Sequence, residues 1–140
     1  MRVSAKADYA IRVLLELAAD TSRPITCEAV ASTQDIPPRF IKAVIRDLRQ
    51  AGLVRSQRGC EGGYWLARDA ASITVRDAVT AVDGPHLSVR GEPRPAVGYH
   101  GTAAHLGGLW SAVESQLDLV LRATTIAHLL AGPTPHRIAN

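Results

Sequence analysis

Apolar residues recur at helical spacing through most of the chain, and the interruptions divide it into elements. Ala7, Ala10, Ile11, Leu14 and Ala18 fall on one side of a helix over residues 5–19, with the Ser4 hydroxyl placed to cap it. Arg23-Pro24 breaks that helix, and Thr26 can cap a short second one reaching about residue 32. Residues 34–36 form a tight turn in which Asp35 tolerates left-handed backbone angles. Pro37 and Pro38 suit the first turn of the next helix, where a missing N–H costs little. Its inner stripe is Ile41, Val44, Ile45 and Leu48, at i, i+3, i+4 and i+7, and Gly52 ends it. Residues 53–57 and 63–67 then read as two strands joined by the Gly-rich tip 58–62. A further helix over 74–82 carries Val75, Ala78, Val79 and Val82, with Thr74 and Asp77 at capping-box spacing.

Two short helices joined by a tight turn and followed at once by a hairpin form a winged helix-turn-helix. Residues 1–84 are expected to be that unit. Residues 85–102 are rich in proline and glycine and without period, so they are read as a loop and possible sensor region. Over 103–122 the stripe Leu106, Leu109, Trp110, Val113, Leu117, Val120 and Leu121 predicts a helix of about 30 Å. One protomer has little left to cover that stripe, so it implies a partner helix. Thr124-Thr125 opens a short final helix, so 103–131 form a dimerisation unit and 132–140 a flexible tail. The fold class is thus mostly α, with a small β-hairpin wing and a long C-terminal dimerisation helix.

Charge adds chemistry to this frame. Residues 1–70 hold 11 Lys or Arg against 8 Asp or Glu, whereas residues 71–140 hold 5 of each. The excess gathers between residues 39 and 58, where Arg39, Lys42, Arg46, Arg49, Arg55 and Arg58 face a single acid, Asp47. Such a stripe on a second helix and its wing suits a polyanion, and duplex DNA fits the geometry. Gly59, Gly62 and Gly63 let the tip approach a nucleic-acid backbone closely, so Gln57, Arg58 and Gly59 join the candidate contacts. The bland alternative, a solvated basic face, does not explain why the hairpin carries arginines as well.

Other chemistry is thin. Two cysteines, Cys27 and Cys60, make no disulfide framework and suit a reducing cytoplasm. Charges interrupt the N-terminus before any signal-peptide core forms, and the uncharged run 95–113 contains Pro95, His100, His105 and four glycines, so a membrane span is rejected. No nucleophile elbow or phosphate-binding loop is present, so an enzyme is not expected. His86, His100, His105, Glu92 and Cys60 are too scattered for a zinc site, and no metal is expected. Cys60 at the wing tip is a candidate thiol switch, since its oxidation would disturb contact with DNA.

Several segments together resemble one family. MRVSAKADYAIRVLLELA, IPPRFIKAVIRDLRQAGLVRSQRGCEGGYWLAR, ITVRDAVTAVDGP and the late LW…ATTIAHLL are similar to the Rrf-two (IscR/NsrR/CymR-like) winged-helix transcription regulators of bacteria. The likeness spans about residues 1–131, and LVRSQRGxxGGYxLAR is its specific part. The resemblance implies a homodimer with crossed long helices on a near-palindromic operator, and the chain is read as a repressor. It assigns major-groove reading to Arg39, Lys42 and Ala43, minor-groove entry to Arg58, and phosphate contacts to Ser4, Lys6 and Thr26. Well-known members hold an iron–sulfur cluster through three cysteines between the fourth helix and the dimer helix, but residues 85–108 contain none. No cofactor is therefore expected. Asp8, which matches a cluster ligand of some relatives, is read as an ordinary helix residue or part of a reshaped pocket. A small effector would sit between 85–108 and the partner's first helix, with Asp8, His100, His105 and Trp110 as candidates. Trp110 is otherwise a dimer-core residue. The rival reading is a winged helix that binds a protein and has no operator.

Overall fold

The computed structural model describes residues 2–84, 88–89, 92–93 and 98–132. In chain order these form α1 Ala5–Ala19, α2 Cys27–Gln34, α3 Pro38–Gln50, the hairpin β1 Val54–Gln57 and β2 Gly63–Leu66, α4 Val75–Asp83, β3 Ser88–Val89, β4 Glu92–Pro93, α5 Leu106–Ala123 and α6 Ile126–Ala131. The architecture is the mostly helical winged helix-turn-helix that the periodicity predicted.

The caps explain the boundaries. Ser4 Oγ accepts the Ala7 N–H at 3.0 Å, and Thr26 Oγ1 accepts that of Ala29 at 3.1 Å. α2 runs to Gln34, past the expected end at about 32, and Asp35 then turns the chain with φ 54. α3 has no side-chain cap; Pro38 at its first position removes a donor that would otherwise be orphaned. α4 carries the full Thr74–Asp77 capping box, and α6 has a second built from Thr125 and His128.

α1 is the hub, packing on α3, α4 and α6. Its buried residues are Ala7, Ala10, Val13, Leu14 and Leu17, while Ile11 and Ala18 are only half-buried. The expected stripe therefore missed Val13 and Leu17, because a helix packed by three others buries more than one narrow seam. On α3, Ile41, Val44, Ile45 and Leu48 are all buried.

The hairpin leaves α3 without a spacer. Leu53 N–H bonds Leu48 O at 3.0 Å across Gly52, which takes φ 76. The register pairs Val54 with Leu66, Arg55 with Trp65, Ser56 with Tyr64 and Gln57 with Gly63. The linker before α2 adds a bridge the sequence reading did not foresee: Ile25 and Tyr64 exchange both backbone bonds, at 3.0 and 2.8 Å. That pins the wing to the helical body.

The stretch expected to be a loop and possible sensor region contains two short strands and a 3-10 turn among its described residues. β3 and β4 pair antiparallel, and residues 101–103 form a 3-10 turn that delays α5 to Leu106 rather than 103. The side chains of His86 and Glu92 and the tail from 133 onward lie outside the described residues. Of α5, no residue is buried, and Leu109, Leu117 and Leu119 are 53%, 38% and 51% exposed. Its far end is tied down by backbone: Val75 N–H bonds Thr124 O at 2.8 Å, and Ile126 N–H bonds Ile73 O at 2.9 Å.

Asp118 on α5 adds a charged tie, accepting from Arg76 of α4 and, at 2.5 Å, from Arg122 one turn on. The bond from Arg76, helped by the Arg122 charge and opposed by burial, holds the Asp118 carboxyl below its ordinary range. A carboxylate with a lowered folded value stabilises the fold above its unfolded value of about 4 and loses that contribution as pH falls through the lowered value. The urea midpoints of wild type and Asp118→Asn should thus differ at neutral pH, with the gap starting to close only as pH falls below about 4. Curves offset equally at all pH values would disprove the charged tie.

Candidate nucleic-acid interface

The inner face of α3 is used up by the core, which forces its polar residues outward. Arg39, Lys42, Arg46 and Arg49 are all exposed, and Ala43 lies half-buried between the two faces. Arg55, on β1, and Arg58, in the tip, are exposed beyond the end of the helix. Among the described residues, Arg39, Lys42, Arg49, Arg55 and Arg58 make no ion pair. Asp47 lies 3.8 Å from Lys6 and 3.9 Å from Arg46, so the one acid of the stripe is already partly neutralised. These cations keep their charge for an outside partner.

The tip is shaped by glycine. Gly59 has φ 108, and the Gly62 N–H bonds Gly59 O at 3.0 Å. A Cβ on Gly62 would collide with the Gln57 carbonyl and stand 2.8 Å from Gly59 O; one on Gly63 would stand 2.8 Å from the Ile25 carbonyl. Only a chain without side chains at these points closes the turn and seats it on the linker. Gln57 is drawn into the wing itself. Its Oε1 accepts from Trp65 Nε1 at 3.0 Å, and its Nε2 donates to Glu61 O at 3.4 Å.

The expected phosphate contacts are placed unequally. Lys6 stands beside α3, as its approach to Asp47 shows. Ser4 caps α1 and donates its hydroxyl to Asp83 at 2.5 Å, tying α1 to the end of α4. The Thr26 hydroxyl is engaged as the α2 cap. Aromatic residues that the sequence reading passed over join the arginines. The Arg39 guanidinium lies 4.8 Å from the Phe40 ring centroid, and that of Arg55 lies 5.0 Å from the Trp65 ring. The second pair was findable, since the expected strands and tip already imply the 55–65 register.

Within one protomer, the effector and redox candidates have separate surroundings among the described residues. Asp8 pairs with Arg12 at 2.8 Å, an ordinary i,i+4 contact. His100 and His105 are exposed and cap nothing with their side chains. The indole N–H of Trp110 and the Tyr99 hydroxyl are buried without a hydrogen-bond partner. Cys60 is exposed, whereas Cys27 is buried with its Sγ 3.7 Å from Pro38 O. Burial, with the nearby Glu28, pushes the Cys27 thiol up; Lys42 opposes it weakly. Native protein should therefore take one alkyl label, on Cys60, and a second only in denaturant, as mass spectrometry would read. Rapid double labelling would mean that Cys27 is not enclosed.

An iron–sulfur cluster needs several thiolates that meet. Here Cys27 lies under α3 and Cys60 at the wing tip, and no other cysteine exists in the chain. No three of His, Cys, Asp and Glu among the described residues converge on a point that would hold a metal. This donor set does not fit a thiolate-held cluster. Among the described residues, no helix is long and apolar enough to cross a membrane.

A helix-turn-helix whose second helix runs straight into a basic hairpin defines the winged helix-turn-helix class of regulators. Within that class the chain belongs to the Rrf2 family, whose model, described as "Iron-dependent Transcriptional regulator", matches residues 3–132. A protein of Mycobacterium tuberculosis H37Rv with the provisional name HTH-type transcriptional regulator Rv1287 is 39% identical, over 99% of this chain and 87% of its own length. The HTH-type transcriptional regulator IscR of an Escherichia coli O1:K1 strain is 36% identical over 93% of this chain and 80% of its own. The solved structure of CymR of B. subtilis, titled "the Global Cysteine Regulator", superposes with a TM-score of 0.79 at 27% identity, covering 96% of this chain and 99% of that one. The family is one of transcriptional regulators, not of enzymes.

Proposed function

We propose that this transcriptional regulator binds DNA sequence-specifically as a homodimer on a near-palindromic operator, and that it represses. The observation that carries the reading is the row of exposed cations Arg39, Lys42, Arg49, Arg55 and Arg58, which make no ion pair among the described residues. Arg46 and Arg49 serve phosphates, with Lys6 beside them. Arg39, Lys42 and Ala43 face bases in the major groove, and Arg58, flanked by Gly59, enters the minor groove. Dimerisation is supported by α5, whose leucines remain open to solvent in one protomer. An operator-binding regulator of this kind works in the cytoplasm, at the nucleoid.

The donor set supports a regulator without a conventional iron–sulfur cluster; an iron–sulfur chromophore in anaerobically purified protein would refute that. A small effector would act instead near the first turn of α5. The unpartnered Trp110 Nε1 and Tyr99 hydroxyl support this, because buried donors without partners favour a ligand carrying an acceptor. To bias the regulator, such an effector must bind one dimer arrangement more tightly than another. Cys60 is the accessible thiol for a redox signal.

The test is selection of operators from random DNA, followed by footprinting and Arg58→Ala. The variant should lose about 1–3 kcal/mol of specific affinity. Recovery of no preferred sequence would favour the rival, a winged helix that docks on a protein.

A further inference from the structure

Phe40 sits in the first turn of α3 and is 42% exposed, unlike the buried apolar residues of that helix. Single exposed apolar side chains are ordinary, but the face of this ring is in use by two neighbours. The Arg39 guanidinium lies 4.8 Å from its centroid, and the Tyr9 ring of α1 lies 6.2 Å away, tilted by 38°. Tyr9 in turn carries Arg12 at 5.9 Å, and Arg12 is fixed by Asp8 at 2.8 Å and by Gln34 O at 3.4 Å. A ladder of cation, ring, ring and cation thus runs from the body of α1 to the arginine at the head of α3.

We infer that Phe40 is a positioning residue for base reading, holding the Arg39 guanidinium, with Tyr9 as its brace, in the orientation that pairs with a guanine edge. This rests on the proposed role of Arg39 as a base reader. A guanidinium reads guanine through two parallel N–H bonds, so its plane must be set as well as its position. An exposed arginine on a flexible stem samples many orientations, and most of them cannot make both bonds. Stacking on a ring fixes the plane while leaving the N–H edges free, which an ion pair would not do. Among the described residues Arg39 makes no ion pair, so the Phe40 ring is what orients it. The ring touches no base in this scheme.

The full-length protein would be measured on its selected operator and on single base-pair variants. Arg39→Ala first identifies the base pair that Arg39 reads, as the position where discrimination collapses. Phe40→Leu keeps bulk and hydrophobicity but removes the π-face. It should lower discrimination at that same pair by roughly tenfold, with non-specific affinity, salt slope and thermal midpoint unchanged. Phe40→Trp should restore it, and Tyr9→Leu should cause a smaller loss at the same position. Equal weakening on every sequence, or intact discrimination in Phe40→Leu where Arg39→Ala abolishes it, would overturn the inference while leaving Arg39 as a reader. If Arg39→Ala changed preference at no position, the reader assignment and this inference would fall together.

Discussion

Raising monovalent salt from about 50 to about 200 mM is expected to weaken operator binding by roughly a thousandfold or more. Each phosphate neutralised by Lys or Arg releases condensed counterions, contributing a slope of about −0.9 in log K against log salt. The outer side of α3 and the wing offer Arg39, Lys42, Arg49, Arg55 and Arg58, which make no ion pair among the described residues. If three of these per protomer reach phosphates, a dimer makes about six contacts, which is enough for that effect. Arg49→Ala should flatten the slope by about one for each protomer while leaving sequence preference alone. A flat plot for the wild type would mean that the basic face is merely solvated.

Leu48→Ala is expected to cost about 2–5 kcal/mol of stability, without touching DNA at all. Leu48 is fully buried on the inner face of α3, and its backbone oxygen receives the Leu53 N–H that starts the wing. The loss combines burial of the missing methyl groups with the cavity left behind, against a total stability of only about 5–15 kcal/mol. A fall in thermal midpoint on the order of 10 °C should follow. Lys42→Ala, on the exposed face of the same helix, should leave melting within about 0.5 kcal/mol of wild type and weaken DNA binding instead. The pair separates seating the helix from using it. Equal melting of Leu48→Ala and wild type would show the helix to be rotated from its described packing.

Much of this molecule is legible in one dimension, for identifiable reasons. α3 shows a clean stripe because one side meets the core and the other meets solvent, so burial and periodicity coincide. The caps of α1, α2 and α4 are local hydrogen bonds between residues three apart, which spacing reveals directly. α1 was harder, since three neighbours blur its stripe and hide Val13 and Leu17. The Ile25–Tyr64 bridge was invisible because it joins segments far apart and involves backbone alone. β3 and β4 are too short to leave an alternating pattern. In the site, the cations could be counted from the sequence. The engagement of Ser4 and Gln57 by neighbours, and the approach of Arg39 to the Phe40 ring, depend on long-range packing or on side-chain conformation.

The two backbone bonds between residues 73–75 and 124–126 bear on how this protein can drift. A joint made of peptide groups survives most exchanges of side chain, provided that no proline replaces Val75 or Ile126 and removes an N–H donor. Side-chain changes along α5 therefore leave this joint intact as long as those two N–H groups remain. The joint also fixes where the end of α5 meets α4, whatever side chains the helix carries.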